Sequence, residues 1–170
     1  DMDSDITTGL RFMLDNPEVC KSLSELKIPV LGRGCEQELL DLTQRTTNSL
    51  RLTQLKAMVV LMEYNPDEAD RASQFLSLQS PNMTRLSLDV VWHGTPPVTG
   101  QQIQLGPRFN IPQMSALESL EVITRRPDRI QFESYPNLKE FLFKYETANA
   151  GCWNQHLATL STCPITDLTV

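Results

Sequence analysis

A short phrase that recurs along the chain restricts the fold more than any other feature of the sequence. Residues 81–88 read PNMTRLSL and residues 136–143 read PNLKEFLF, with Pro, Asn and three apolar residues at the same offsets. The shared pattern is an apolar residue, two arbitrary residues, a second apolar residue, one arbitrary residue and a third apolar residue. Its last step has the two-residue period of a β-strand. One such strand cannot bury its apolar face alone, so the recurrence predicts that the copies stack side by side.

Six copies of the phrase can be placed, and their starts lie 21 to 34 residues apart. The second copy is ambiguous, because frames that begin at Thr47, Leu50 or Leu52 all fit. We prefer Leu50, since Asn48 then supplies the entry turn that Asn82 supplies in the next copy. The predicted strands are residues 23–28, 50–55, 83–88, 117–122, 138–143 and 165–170.

The segments between the strands must return the chain to the start of the next strand. The best helix signal has Asn65 as N-cap, Pro66 at the first helical position and an apolar stripe behind them, formed by Ala69, Ala72, Phe75 and Leu76. The shortest unit, from 117 to 138, has no room for a helix and predicts an extended or 3₁₀ return.

Together these features predict an α/β leucine-rich-repeat solenoid with a curved parallel sheet and with helices or extended segments on its convex side. A single domain over residues 1–170 is expected, as a fragment of a longer chain. Residues 92–112 are rich in Pro, Gly and Gln and predict a long inserted loop, either a projecting binding loop or a partly disordered insertion.

Composition weighs against several classes of function. The formal net charge is −6, so nucleic acid is not the expected partner, and no apolar run is long enough to cross a membrane. The basic spot at Arg125, Arg126 and Arg129 is interpreted as a solvated turn. The four cysteines form no CxxC pair and have no recognisable metal-ligand spacing, which favours reduced thiols in the cytoplasm or nucleus.

Enzymatic readings are weak. The turn at Gly32 and Gly34 lacks the Lys-Ser/Thr pair of a phosphate loop. Cys152 and His156 are four residues apart on a predicted helix, but Trp153 beside them indicates packing. We therefore predict no catalytic residues, no cofactor and no metal.

The Pro-Asn entry to the phrase, the Cys163-Pro164 pair before the last copy and the irregular unit lengths resemble the leucine-rich repeats of F-box proteins, particularly the divergent fungal type. The resemblance implies that the chain holds a protein substrate for a cullin-based ubiquitin ligase. Catalysis would take place on other subunits, and the adaptor and cullin would bind a module outside this chain, since no F-box is visible between Asp1 and Val19.

Two other classes stay open. One is a repeat scaffold or sensor with no link to ubiquitin. The other is a repeat protein that works outside the cell, which predicts disulfides and a glycan on Asn82; four free thiols would exclude it.

The positions between the inward residues of each strand are the predicted protein-binding surface, on the concave face. Leu142 is apolar there, either as a lone exposed leucine or as a contact anchor. The preferred frame of the second copy adds Leu52 and Gln54. The candidate residues are Glu25, Lys27, Arg85, Ser87, Ser119, Glu121, Glu140, Leu142, Asp167 and Thr169.

Overall fold

The structure of the chain is a computed structural model. It describes residues 22–31, 51–63, 65–94, 107–145 and 160–169, together with single residues at 8, 9, 12, 15, 16, 18 and 40. In chain order the elements are β1 (Glu25–Leu31), β2 (Gln54–Met62), α1 (Pro66–Gln79), β3 (Arg85–His93), β4 (Phe109–Ile111), β5 (Ser119–Thr124), a 3₁₀ turn (Pro127–Arg129), β6 (Ile130–Phe132), β7 (Glu140–Tyr145) and β8 (Asp167–Thr169).

The main sheet has six parallel strands in the order β1-β2-β3-β5-β7-β8, so strands that follow one another in the chain lie side by side. A second, two-stranded parallel sheet pairs β4 with β6. The prediction of an α/β fold with a parallel sheet is confirmed. The sheet is open and is not curled, so the predicted curvature is not found.

Strand register corrects the frame of the second copy. Leu55 pairs with Leu26 on one side and with Leu86 on the other, which places Leu52, not Leu50, at the first apolar position. Leu52 is fully buried. The preferred frame was wrong because the local sequence fits both frames. A shift of one residue would turn the apolar side chains of the strand to the exposed face, whereas a shift of two residues leaves the inward and outward positions within the strand unchanged.

The first apolar residue of each copy lies just before its strand rather than in it. Met83 precedes β3 by two residues and Leu117 precedes β5 by two residues, and both are fully buried. Each strand of the main sheet therefore begins two residues after the start predicted for it, except β2, whose frame was wrong. Two rows of inward side chains then cross the sheet, and their residues are Leu26, Leu55, Leu86, Leu120, Phe141 and Leu168, followed by Ile28, Ala57, Leu88, Val122 and Phe143.

These rows form the core with the layer behind the sheet. Burial of each large apolar side chain contributes about 1.5–3 kcal/mol. Leu86 and Phe141 are 2% exposed in the interior of the sheet, whereas Leu168 on the edge strand β8 is 51% exposed. The interior strands are thus held by packing that the edge strand lacks.

Helix α1 begins as predicted. The side chain of Asn65 accepts a hydrogen bond from the backbone N–H of Asp67 at 3.2 Å, and Pro66 occupies the first turn. Two buried polar side chains attach the helix to β2 and to the residues just before it. Glu68 Oε2 accepts a hydrogen bond from the Met62 N–H, and Gln79 Oε1 accepts one from the Leu52 N–H, each at 3.0 Å. The predicted apolar stripe is buried.

The return between β5 and β7 has the predicted form, a 3₁₀ turn at residues 127–129 followed by the short strand β6. The second layer is joined by side chains as well: Ser73 Oγ on α1 donates to the Asn110 carbonyl of β4 at 2.7 Å. Tyr135 is fully buried, and its hydroxyl donates to the Ile111 carbonyl at 2.7 Å.

The predicted inserted loop at residues 92–112 has ordered ends. Trp92 and His93 complete β3, Gly94 has a positive φ of 101°, and residues 109–111 form β4 with Phe109 and Ile111 fully buried. Residues 95–106 lie outside the described part of the chain. Of the residues predicted to form the loop, 92, 93 and 109–111 belong to strands.

Candidate functional site

The candidate site is the face of the main sheet that points away from the core, called here the open face. Its first row of side chains is Glu25, Gln54, Arg85, Ser119, Glu140 and Asp167, and its second row is Lys27, Lys56, Ser87, Glu121, Leu142 and Thr169. All ten residues proposed from the sequence lie in these two rows, and every side chain in them is exposed or half-buried.

The corrected frame changes the contribution of the second strand. Leu52 is removed from the open face because it is buried in the core, Gln54 stays, and Lys56 is added. Lys56 was missed only because the second copy was read two residues early. Aligning the second copy with the copies before and after it was the signal that could have placed Lys56 on the open face.

Two depressions lie on the open face and are lined by all ten predicted residues. One, of about 210 Å³, spans β1, β2, β3 and β5, and includes Lys27, Lys56 and Arg85 in its lining. The other, of about 230 Å³, spans β5, β7 and β8. They meet at Ser119 and Glu121, which line both. The open face thus offers one broad, polar contact surface with two hollows.

Charge is divided between the two depressions. The first carries the three basic side chains, of which Lys27 lies 3.5 Å from the carboxylate of Glu25. The second carries Glu140 and Asp167, and Glu121 lies between the two. Glu121 Oε2 accepts a hydrogen bond from Ser87 Oγ at 2.8 Å, which orients its carboxylate.

Apolar side chains add to the open face beside the charges. Leu142 is half-buried and lines the second depression, and Ile123 in the next row is also half-buried. Met58, in the same row as Ile123, is 39% exposed. Leu142 therefore has an apolar neighbour, Ile123, on the open face, and its role as a contact anchor stays a prediction.

A second cluster, at the ends of β2, β3 and β5, was not found from the sequence. Arg126 Nη1 lies 3.1 Å from Glu63 Oε1, and Arg129 Nη1 lies 3.9 Å from the same oxygen. Arg129 is 5% exposed and lies over the ring of Trp92, with 5.3 Å between the guanidinium carbon and the ring centroid. The interpretation of these arginines as a solvated turn was wrong for Arg129, because the chain folds it back under the strand ends.

This cluster contains donors without acceptors. Among the described residues, Trp92 Nε1 and Arg129 Nε and Nη1 are buried without a hydrogen-bond partner. Unpaired buried donors are costly, so the cluster stabilises the fold less than its charges suggest. Its contacts join residues far apart in the chain, which is why no local pattern marks it.

Of the residues considered for catalysis, the structure describes only His93. His93 is exposed at the end of β3. Cys35, Cys152 and His156 lie outside the described residues, as do the glycines at 32 and 34. Within the described ranges, no three His, Cys, Asp or Glu side chains are close enough to hold a metal ion.

Among the helices that the structure describes, none combines the length and the apolar character needed to cross a membrane. Comparison of the chain with protein-family models, with curated proteins and with solved structures finds no match.

Proposed function

We propose that this chain is a non-catalytic protein-binding domain that holds its partner on the open face of the sheet. The observation that carries the proposal is the open face itself. Two rows of exposed and half-buried side chains are fixed in register by a parallel sheet, and no backbone change is needed to present them. Such a frame suits recognition of a protein surface because the contact residues are already ordered before binding.

The fold supports a finer proposal, that the chain is a leucine-rich-repeat solenoid. Each strand of the main sheet follows the same phrase, neighbouring copies pair in register, and the described return elements α1, β4 and β6 pack against the core of the sheet. The ubiquitin part of the proposal depends on the resemblance in the sequence. In it, the domain selects substrates as part of an F-box subunit of a cullin-based ligase in the cytoplasm or nucleus.

The first experiment is affinity purification of the full-length parent protein from its own cells, with mass spectrometry of the proteins that accompany it. We expect the F-box adaptor and a cullin. If neither is present while other proteins are, the ubiquitin proposal is overturned and the domain is a scaffold.

The second experiment locates the partner. The variants Arg85→Glu and Glu121→Arg reverse charges on the open face, and Arg108→Glu is the control, since Arg108 is exposed but lies just before β4, outside the open face. We expect both open-face variants to lose the substrate and keep the adaptor, while the control keeps both. Unchanged substrate capture by the open-face variants would overturn the proposed binding surface.

A further inference from the structure

We propose that the partner on the open face is a polypeptide segment of divided charge, with acidic residues over β1–β3 and basic residues over β5–β8. The inference rests on the proposed function and names the chemistry of its partner. It follows from the division of charge on the open face, in which Lys56 was placed only by the observed strand register.

In the first two rows of the open face the charges are segregated and largely unneutralised, whereas the third row carries the opposite signs, with Asp89 on β3 and Lys144 on β7. Lys56 and Arg85 lie on adjacent strands in one half, and Glu140 and Asp167 lie on adjacent strands in the other. All four are exposed, and within the described part of the chain none of them forms an ion pair. Like charges held on neighbouring strands repel one another. A partner that neutralises both groups therefore gains binding free energy in both halves of the open face.

The spacing of the two groups sets the spacing in the partner. The basic group centres on β2 and the acidic group on β7, three strand intervals away in the sheet. At about 4.8 Å per interval the two centres are about 14 Å apart. An extended segment covers that distance in about four residues, and a helix in about nine.

Leu142 gives the acidic half of the open face an apolar contact for the partner. It lies between Glu121 and Thr169 in the second row and beside Glu140 on its own strand. The aliphatic stem of an arginine or lysine can pack on Leu142 while its charged end reaches the neighbouring carboxylates. The basic part of the partner therefore gains apolar contact as well as charge.

Other occupants fit the divided charge less well. Nucleic acid and anionic membranes would meet the carboxylates of β7 and β8. A second copy of this chain, turned about an axis along the strands between β3 and β5, would set Glu25 opposite Asp167 and Lys56 opposite Leu142. That turn brings the acidic half of one copy over the basic half of the other, but no basic residue of the first two rows lies directly opposite an acidic one. A segment of another sequence that sets opposite charges directly against both groups matches the open face better.

The test uses two labelled peptides of the same composition and the whole chain. In the first peptide, Glu-Glu-Glu-Leu-Lys-Lys-Lys, the charge centres are four residues apart; in the second, Glu-Lys-Glu-Leu-Lys-Glu-Lys, the charges are mixed. Fluorescence anisotropy at low ionic strength is expected to show the divided peptide binding about tenfold more tightly than the mixed one. Added salt is expected to weaken the binding.

Variants locate the site. Lys56→Glu combined with Arg85→Glu, and separately Glu140→Lys combined with Asp167→Lys, are each expected to remove the preference for the divided peptide. Arg108→Glu is expected to leave it unchanged. Circular dichroism confirms that each variant is folded.

Several results would overturn the inference. These are equal binding of both peptides, no binding of either, tighter binding of an all-lysine peptide or an RNA oligonucleotide, and salt-sensitive self-association of the chain in sedimentation. If the divided peptide is not preferred but Arg85→Glu still abolishes substrate capture, only this inference fails. If substrate capture is also unaffected, the proposed function fails with it.

Discussion

The two edges of the main sheet, where its strands begin and where they end, are held together in different ways. At the beginning of the strands the contacts are between backbone groups and repeat from strand to strand. At the ends, among the described residues, a single cluster of side chains makes the contacts, beside one backbone hydrogen bond from the Glu63 N–H to the His93 carbonyl. The difference shows which parts of the molecule the recurring phrase controls.

The beginning of the sheet is a regular ladder of backbone hydrogen bonds. One carbonyl before each strand accepts two N–H groups from the next copy, as Ser24 does from Thr53 and Gln54 at 2.8 and 3.1 Å. The same arrangement occurs at the four other junctions, with donor–acceptor distances between 2.8 and 3.1 Å. Because these hydrogen bonds join main-chain groups, the residue that supplies the carbonyl can be Thr, Glu or Lys. It requires only that the phrase be in register.

The end of the sheet is irregular because the strands have different lengths. β2 and β3 each have nine residues, β5 and β7 six, and β8 three. The longer strands carry Glu63 and Trp92 to the place where Arg126 and Arg129 fold back. This edge is therefore held by one ionic and aromatic cluster rather than by a repeated contact.

The largest expected effect tests whether the end of the sheet depends on that cluster. The variant Glu63→Ala leaves two arginines without their shared carboxylate, and the Glu63 side chain is only 10% exposed. We expect a loss of about 3 kcal/mol in the free energy of unfolding, measured with urea.

The matched control is Asp128→Ala, which also removes a carboxylate next to Arg126, but one whose side chain is 38% exposed. Its expected cost is at most about 0.5 kcal/mol. Equal effects of the two substitutions would mean that the cluster does not hold the strand ends and would remove the contrast between the edges.

The next largest effect concerns Tyr135, in the turn before β7. Its hydroxyl donates to the Ile111 carbonyl and accepts from the Glu133 N–H, so Tyr135→Phe leaves both groups without this partner. We expect a cost of about 2 kcal/mol near neutral pH.

The same residue gives a pH dependence. Burial raises the pKa of the Tyr135 phenol well above its usual value. Above pH of about 10 the unfolded chain releases this proton while the folded chain keeps it, so the folded state loses stability as pH rises. The Phe variant lacks this loss, and the gap between the two proteins should narrow in urea titrations at higher pH. A constant gap would contradict the burial of the phenol.

A smaller effect is expected where the side chains support the ladder. Thr84 Oγ1 donates to the Thr53 carbonyl at 2.9 Å, beside the two backbone donors. The substitution Thr84→Val keeps the shape and removes this bond, at a cost of about 1 kcal/mol. Thr166→Val is the control at the exposed edge strand, where a smaller loss is expected. A cost at Thr84 as large as that of Glu63→Ala would show that side chains hold this edge too.

The smallest effect is expected for Arg129→Met. The change removes a buried charge with two unpaired donors and keeps most of its volume and its contact with Trp92. Replacing such a group by an apolar one is often neutral, and we expect the free energy of unfolding to stay within about 1 kcal/mol. A loss comparable to that of Glu63→Ala would mean that the pair of Arg129 and Glu63, at 3.9 Å, contributes more than its distance indicates.

The sequence by itself determined the repeated strands, their parallel order, the start of α1 and the ten open-face positions, because each depends on a local period or a capping residue. Tertiary structure decided the frame at Leu52, which two local readings satisfied and only the pairing of Leu55 with Leu26 and Leu86 resolved. It also decided the burial of Arg129 and the place of Lys56 on the open face. Those features join residues that are distant in the chain, as Glu63 and Arg126 are at a separation of 63 residues, and no local pattern carries such a contact.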